Sequence, residues 1–142
     1  MDIYGVGGER EKLETIIRDN NASDYIYLMG QHDLSEVYQN YEAYIAGSTS
    51  EGFGLTLMEA VGGGLPIVGF DVRYGNPTFI RNGENGYLIS LPEEDKDKIE
   101  ALRKGIVDLF KQDLGKCHEV SYEVAKDFLT SNVQEKWREA VC

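Results

Sequence analysis

The sequence predicts an α/β domain, a parallel sheet flanked by helices. Three observations predict it. Short apolar runs alternate with stretches of helical period, the order of successive βα units. Glycine is in excess, 16 of 142 residues against a usual ~7%, and much of it sits at the ends of those runs. The composition, 42% apolar and 27% charged, is that of a folded domain. A chain of this length buries roughly 68–70% of its unfolded surface, enough for a core. One domain over residues 1–142 is the default reading.

Asp2-Ile3-Tyr4-Gly5 reads as the first strand, running into Val6-Gly7-Gly8. Glu9 to Arg18 reads as a helix, with Leu13, Ile16 and Ile17 on its inward face. Tyr25 to Met29 is the second strand, stopped by Gly30. Asp33 then looks like an N-cap with Glu36 as its capping-box partner, opening a helix whose face holds Leu34, Val37, Tyr38 and Tyr41. Ala43 to Ala46 is the third strand. After the loop Gly47 to Gly54, a helix is expected over Leu55 to Val61, ended by Gly62-Gly63-Gly64.

Pro66 to Phe70 is the fourth strand, with proline tolerated at its start. Asn76 to Ile80 forms one helical turn, and Tyr87 to Ile89 the fifth strand. Phe79-Ile80 and Tyr87-Leu88 around the turn Asn82 to Gly86 also fit a β-hairpin, against which Pro77 and the shortness of the first run weigh. Glu93 to Phe110 is a long helix with Ile99, Leu102, Ile106, Leu109 and Phe110 inward. Another helix covers His118 to Leu129, and Ser131 caps a last one carrying Val133, Trp137 and Val141.

Charge narrows the partners. With 14 Lys and Arg against 25 Asp and Glu, the formal net charge is −11, and no basic face is dense enough for nucleic acid. No apolar run approaches the ~20 residues of a membrane helix. The opening residues lack the basic and apolar regions of a signal peptide. Cys117 and Cys142 make no disulfide framework, and no His/Cys cluster has zinc spacing. A reducing cytoplasm is the expected compartment.

Ligands of parallel α/β sheets bind at the carboxyl ends of the strands. The loop after the third strand is the best candidate there. Gly52 and Gly54 remove side-chain bulk, so backbone N–H groups can approach an anion. The following helix points its positive end at the same place. These are the parts of a phosphate cradle, though neither a GxGxxG fingerprint nor a P-loop; a plain glycine-tightened turn fits the same pattern. Glu51 and Glu59 bracket the loop. A carboxylate beside a phosphate repels it unless it is aimed at hydroxyls, so the pair fits a ligand with hydroxyls on both sides of a diphosphate. A nucleotide sugar has that shape. Helix-start and surface roles are the ordinary alternative for both glutamates. Asp95-Lys96-Asp97 is formally a D-x-D pattern but opens a charged helix, where a solvated surface is the better reading.

Glu51-Gly52-Phe53-Gly54-Leu55-Thr56-Leu57-Met58-Glu59-Ala60 resembles the E-x7-E signature of retaining glycosyltransferases of family 4, which have the GT-B fold. Leu28-Met29-Gly30, Pro66-Ile67-Val68 and Asn82 to Ile89 agree with that context, so the resemblance covers roughly residues 2 to 110. It implies a Rossmann-like sheet and part of the carboxyl-terminal, donor-binding domain of such an enzyme. Glu51 is then the catalytic position, at the donor sugar and its hydroxyls, though not a nucleophile. Backbone groups of Gly52, Phe53, Gly54, Leu55 and Thr56 would receive sugar and diphosphate oxygens. Glu59 would accept from the ribose, and Gly30, Gln31 and His32 would pass near the nucleobase. For His32 an exposed loop residue is favoured over direct contact. No metal is implied.

The resemblance also implies what lies elsewhere. A basic pair that holds the diphosphate, the acceptor-binding domain and a first strand-helix unit are expected outside these residues. In the sheet order 3-2-1-4-5-6 that strand is central, so the sheet must close the gap, leave it open, or fill it from another chain. The segment alone is expected not to catalyse transfer. Gly69 to Ile80 and Phe128 to Trp137 are similar to a Gram-positive subgroup. It includes enzymes that place N-acetylglucosamine, from a UDP-linked donor, on serine-rich adhesins. Wall teichoic acid glucosyltransferases, acting on a polyol-phosphate acceptor, are the runner-up. The adhesin enzymes act with a companion glycosyltransferase-like subunit. A non-catalytic partner of the same fold is a further alternative, against which the paired glutamates argue. A position at the inner face of the cell membrane would suit such an enzyme. A dinucleotide-dependent dehydrogenase is disfavoured, because Gly5-Val6-Gly7-Gly8 lacks the third glycine at the required spacing. Tyr38, Tyr41 and Tyr44 read as core and rim of the sheet, and the two cysteines as incidental thiols.

Overall fold

The computed structural model describes residues 1–141. Cys142, read above as an incidental thiol, lies outside the described residues. The chain divides into two compact units, Met1–Leu34 and a second beginning at Ser35.

In the first unit β1 (Asp2–Tyr4) pairs in parallel with β2 (Tyr27–Gly30), with an irregularity between Ile3 and Tyr4. The helix α1 (Arg10–Asp19) connects them. Its expected inward face is only weakly covered: Ile17 is half-buried, while Leu13 and Ile16 are exposed. The unit is too small to enclose a helix on one side, and Ala22 is its buried apolar residue.

In the second unit β3 (Tyr44–Ala46), β4 (Ile67–Phe70) and β5 (Gly86–Ile89) form a parallel sheet in that order. All four residues of β4 are buried, as a central parallel strand covered on both faces requires. The parallel pairing of β4 with β5 excludes the hairpin, and Phe79 ends the short helix α3 (Gly75–Phe79) instead. Pro77 sits in the first turn of α3, where its missing N–H costs nothing. β1-β2 and β3-β4-β5 are two separate sheets, and no ladder joins them among the described residues.

The helix α4 (Asp95–Leu109) covers one face of β4 and β5. Gly105 makes this possible: a Cβ there would lie 2.5 Å from Ile89 Cδ1 and 3.0 Å from Val68 Cγ1. The inward stripe is Gly105 and Leu109, both buried, with half-buried Leu102 and Ile106; Ile99 and Phe110, expected inward, are exposed. These two flank a stripe that the narrow contact with two strands already satisfies. On the opposite face lie α3 and, beyond Gly69, the Asn76 amide, which donates to the Phe70 carbonyl at 2.7 Å. The helices α2 (Leu55–Gly62) and α5 (Leu114–Lys126) pack on each other.

Three helix boundaries differ from expectation. Residues 34–41 hold no α-helix, only turns and a 3-10 segment, Tyr38–Asn40. There the Gln39 and Asn40 side chains donate to the Glu36 carbonyl at 3.1 and 3.4 Å, which offers the backbone an alternative to the helical ladder. α5 begins four residues before His118, because Asp113 caps it by accepting from the Lys116 N–H at 3.4 Å. Ser131 lies inside α6 (Thr130–Val141) rather than capping it, and donates to Asn132 Oδ1. α6 carries no buried residue, and Trp137 is exposed.

Candidate functional site

The predicted loop follows β3 and enters α2. Gly54 is the N-cap of α2, with φ +85° and ψ 63°, the left-handed region. Glycine is required twice over there. A Cβ would be strained by the backbone, and it would lie 2.5 Å from Leu57 Cδ1. No side chain caps the helix, and no acid occupies its first turn. Met58 is the first residue whose N–H reaches the i−4 carbonyl, at 3.0 Å to Gly54. The N–H groups of Leu55, Thr56 and Leu57 therefore remain at the positive end of the helix without an intrahelical acceptor. Leu55 and Thr56 are exposed. N–H groups left open at the start of a helix in this way can receive an anion.

Glu51 precedes it. Its carbonyl accepts from the Tyr74 N–H at 2.7 Å, in an isolated parallel bridge. Gly75, the first residue of α3, backs the same segment: a Cβ there would lie 2.7 Å from Glu51 Cγ and 2.8 Å from the Phe53 carbonyl oxygen. Glu51 is half-buried, and no cation among the described residues forms an ion pair with it. Gly52 is exposed. Phe53 turns its ring toward Phe79 and Phe128, with centroids 5.5 and 6.2 Å away, which pins the loop through a side chain that the sequence reading used only for its backbone.

Glu59 lies on α2, one turn in from Leu55 and about 6 Å further along the axis. It is exposed, and its Oε2 accepts from the Tyr38 hydroxyl at 3.0 Å. Tyr38 is 5% exposed. Burial, and then the bond to Glu59, push its phenol well above the usual tyrosine range. It therefore stays a donor at any working pH. Tyr38 counted only as core in the sequence; its link to Glu59 spans 21 residues and leaves no local signal.

Gly30, Gln31 and His32 belong to the other unit. Gly30 has φ +80° and accepts from the Gly5 N–H at 2.7 Å. His32 is exposed, its Nε2 is 2.9 Å from the Met29 carbonyl oxygen, and its ring stands edge-on to Tyr4 at 5.8 Å. A groove of about 570 Å³ in the same unit is lined by Arg10, Glu14, Ile17, Arg18 and Tyr27, among others, and none of the predicted donor contacts lines it. Asp95 of the D-x-D pattern pairs with Lys98 at 2.8 Å, and that bond holds its carboxyl below the usual range. The two aspartates open α4 as expected of a solvated start.

Known proteins are similar to this chain in sequence and fold. The "UDP-N-acetylglucosamine--peptide N-acetylglucosaminyltransferase GtfA subunit" of Limosilactobacillus reuteri subsp. suis is 55% identical over 99% of this chain and 28% of its own length. The solved structure described as the pneumococcal O-GlcNAc transferase GtfA in complex with UDP and GlcNAc matches with a TM-score of 0.91 at 48% identity, over 99% of this chain and 28% of that one. The "Poly(glycerol-phosphate) alpha-glucosyltransferase" of Bacillus subtilis is more distant, 33% identical over 96% of this chain and 20% of its own length. The chain thus spans less than a third of the length of each of these three proteins. The fold is accordingly that of part of a GT-B glycosyltransferase. Residues 1–127 match the family model described as "Glycosyl transferases group 1", and the chain belongs to that family.

Proposed function

We propose that this chain is the donor-binding part of a retaining glycosyltransferase that moves N-acetylglucosamine from UDP-N-acetylglucosamine onto Ser or Thr of a serine-rich protein. The observation that carries the reading is the uncapped start of α2, entered through left-handed Gly54 and flanked by Glu51 and Glu59. The identity to the GtfA relative, 55% against 33% for the poly(glycerol-phosphate) enzyme, supports the protein acceptor over the polyol phosphate. The word "subunit" in that relative's name supports a companion chain as partner. A cytoplasmic protein at the inner face of the membrane is part of the same proposal.

The difficult step is departure of the nucleoside diphosphate, on which negative charge builds. The backbone N–H groups of Phe53, Gly54, Leu55 and Thr56 and the positive end of α2 receive that charge without reorganising. This donor set meets the diphosphate without a metal. Glu51 accepts hydroxyls of the donor sugar and orients it for attack from the face the diphosphate leaves. Glu59 accepts from the ribose. Gly30, Gln31 and His32 are assigned to the side of the nucleobase. The acceptor and a basic pair on the diphosphate are supplied by the rest of the protein, so the segment alone binds nucleotide weakly and does not turn over.

The test is transfer from UDP-N-acetylglucosamine to a serine-rich peptide by the full-length protein that carries this chain. Peptide modification is expected, falling ~10²-fold or more in Glu51→Gln. Transfer only onto poly(glycerol phosphate), or transfer unaffected by that substitution, would overturn the reading.

A further inference from the structure

We propose that Tyr38 is a positioning residue for the nucleotide site: it fixes one oxygen of Glu59 so that the other is presented to the ribose diol of a nucleoside diphosphate. This rests on the assignment of Glu59 to the ribose. The geometry behind it is specific. A carboxylate on an exposed helix position is ordinarily free to rotate, and orienting it costs side-chain entropy when a ligand arrives. Here Oε2 is already engaged by the Tyr38 hydroxyl at 3.0 Å. No ion pair competes for Glu59 among the described residues.

Tyr38 is itself immobilised. The backbone of Gly63, at the end of α2, lies so close that a Cβ there would be 2.6 Å from Tyr38 Cβ. The Tyr44 ring packs beside it with centroids 6.3 Å apart. The phenol therefore transmits the rigidity of the core to an exposed carboxylate. A buried tyrosine hydroxyl needs a hydrogen-bond partner. This one spends its single proton on the acid that flanks the anion site.

The experiment compares UDP with 2′,3′-dideoxy-UDP as ligands of the full-length protein, by calorimetry, in wild type, Tyr38→Phe, Glu59→Ala and the double variant. Phenylalanine keeps the ring and its packing. Tyr38→Phe is expected to weaken UDP binding about tenfold, to leave dideoxy-UDP binding unchanged, and to raise the KM for donor while kcat stays nearly constant. In the Glu59→Ala background the same substitution should have no further effect on UDP. Equal UDP affinity in Tyr38→Phe and wild type, with Glu59→Ala still losing the ribose preference, would overturn the positioning role alone. An unchanged ribose preference in Glu59→Ala would instead overturn the ribose assignment beneath it. A lowered melting temperature of Tyr38→Phe with no change in ligand preference would reduce the Tyr38 hydroxyl to a structural hydrogen bond and also count against the proposal.

Discussion

Gly75 leaves room for Glu51: the backbone at Gly75 approaches so closely that a methyl group there would lie 2.7 Å from Glu51 Cγ. The start of α3 is therefore the wall against which the first acid of the loop is set. The Phe53 carbonyl, 2.8 Å from the same position, is backbone and cannot swing aside as a side chain would. Gly75→Ala is expected to displace the loop, cost about 1–3 kcal/mol by overpacking, and weaken donor binding more than acceptor binding. Denaturant unfolding and donor titration of the variant check the two parts separately.

Tyr38 makes stability depend on alkaline pH. Its folded phenol titrates above the unfolded value of 10.0, chiefly because it is buried. A group of this sign contributes its full stability below pH 10, and the contribution is lost as pH rises toward the folded value. The slope from this one group approaches about 1.4 kcal/mol per pH unit above pH 10. Urea unfolding of wild type and Tyr38→Phe should give curves that run parallel from pH 8 to pH 9.5 and converge above pH 10. The subtraction removes the other titrating tyrosines and lysines, which both proteins share.

Ser121 ties α5 to the sheet side of the unit. Its hydroxyl donates to the Leu65 carbonyl at 2.8 Å and accepts from Asn85 Nδ2 at 3.2 Å, and both side chains are fully buried. Asn85 also donates to the Phe79 carbonyl at 3.1 Å and accepts from the Arg81 N–H at 2.7 Å. Ser121→Ala leaves a buried carbonyl unsatisfied, and a loss of about 1–2 kcal/mol is expected. The urea midpoint should fall with an unchanged slope, and donor affinity should not move.

The elements around the site were legible because each rests on a local cause. β4 is a short apolar run after a proline, and α2 lies between a glycine loop and a glycine triplet. What escaped was tertiary. The spacing of Leu13, Ile16, Ile99 and Trp137 states that they share helix faces, but not that a neighbour covers those faces, and all four are exposed. Residues 34–41 carried a helical pattern over only two turns, and side chains bonding to the Glu36 carbonyl outweighed it. At the site, Glu51 and Glu59 were singled out by the resemblance of Glu51 to Ala60 to the E-x7-E signature, and Gly54 by the glycine loop between them. Gly75 behind Glu51, the ring of Phe53 on Phe79 and Phe128, and the hydroxyl of Tyr38 on Glu59 join residues too distant in sequence to show.

The most direct test is a titration of the deuterated, amide-labelled full-length protein with UDP, followed by the backbone resonances of α2 and the preceding loop. Saturable shifts of the Phe53, Gly54, Leu55 and Thr56 amides, largest among all residues described here, are predicted. UDP binding that saturates while those four amides stay still would contradict the account.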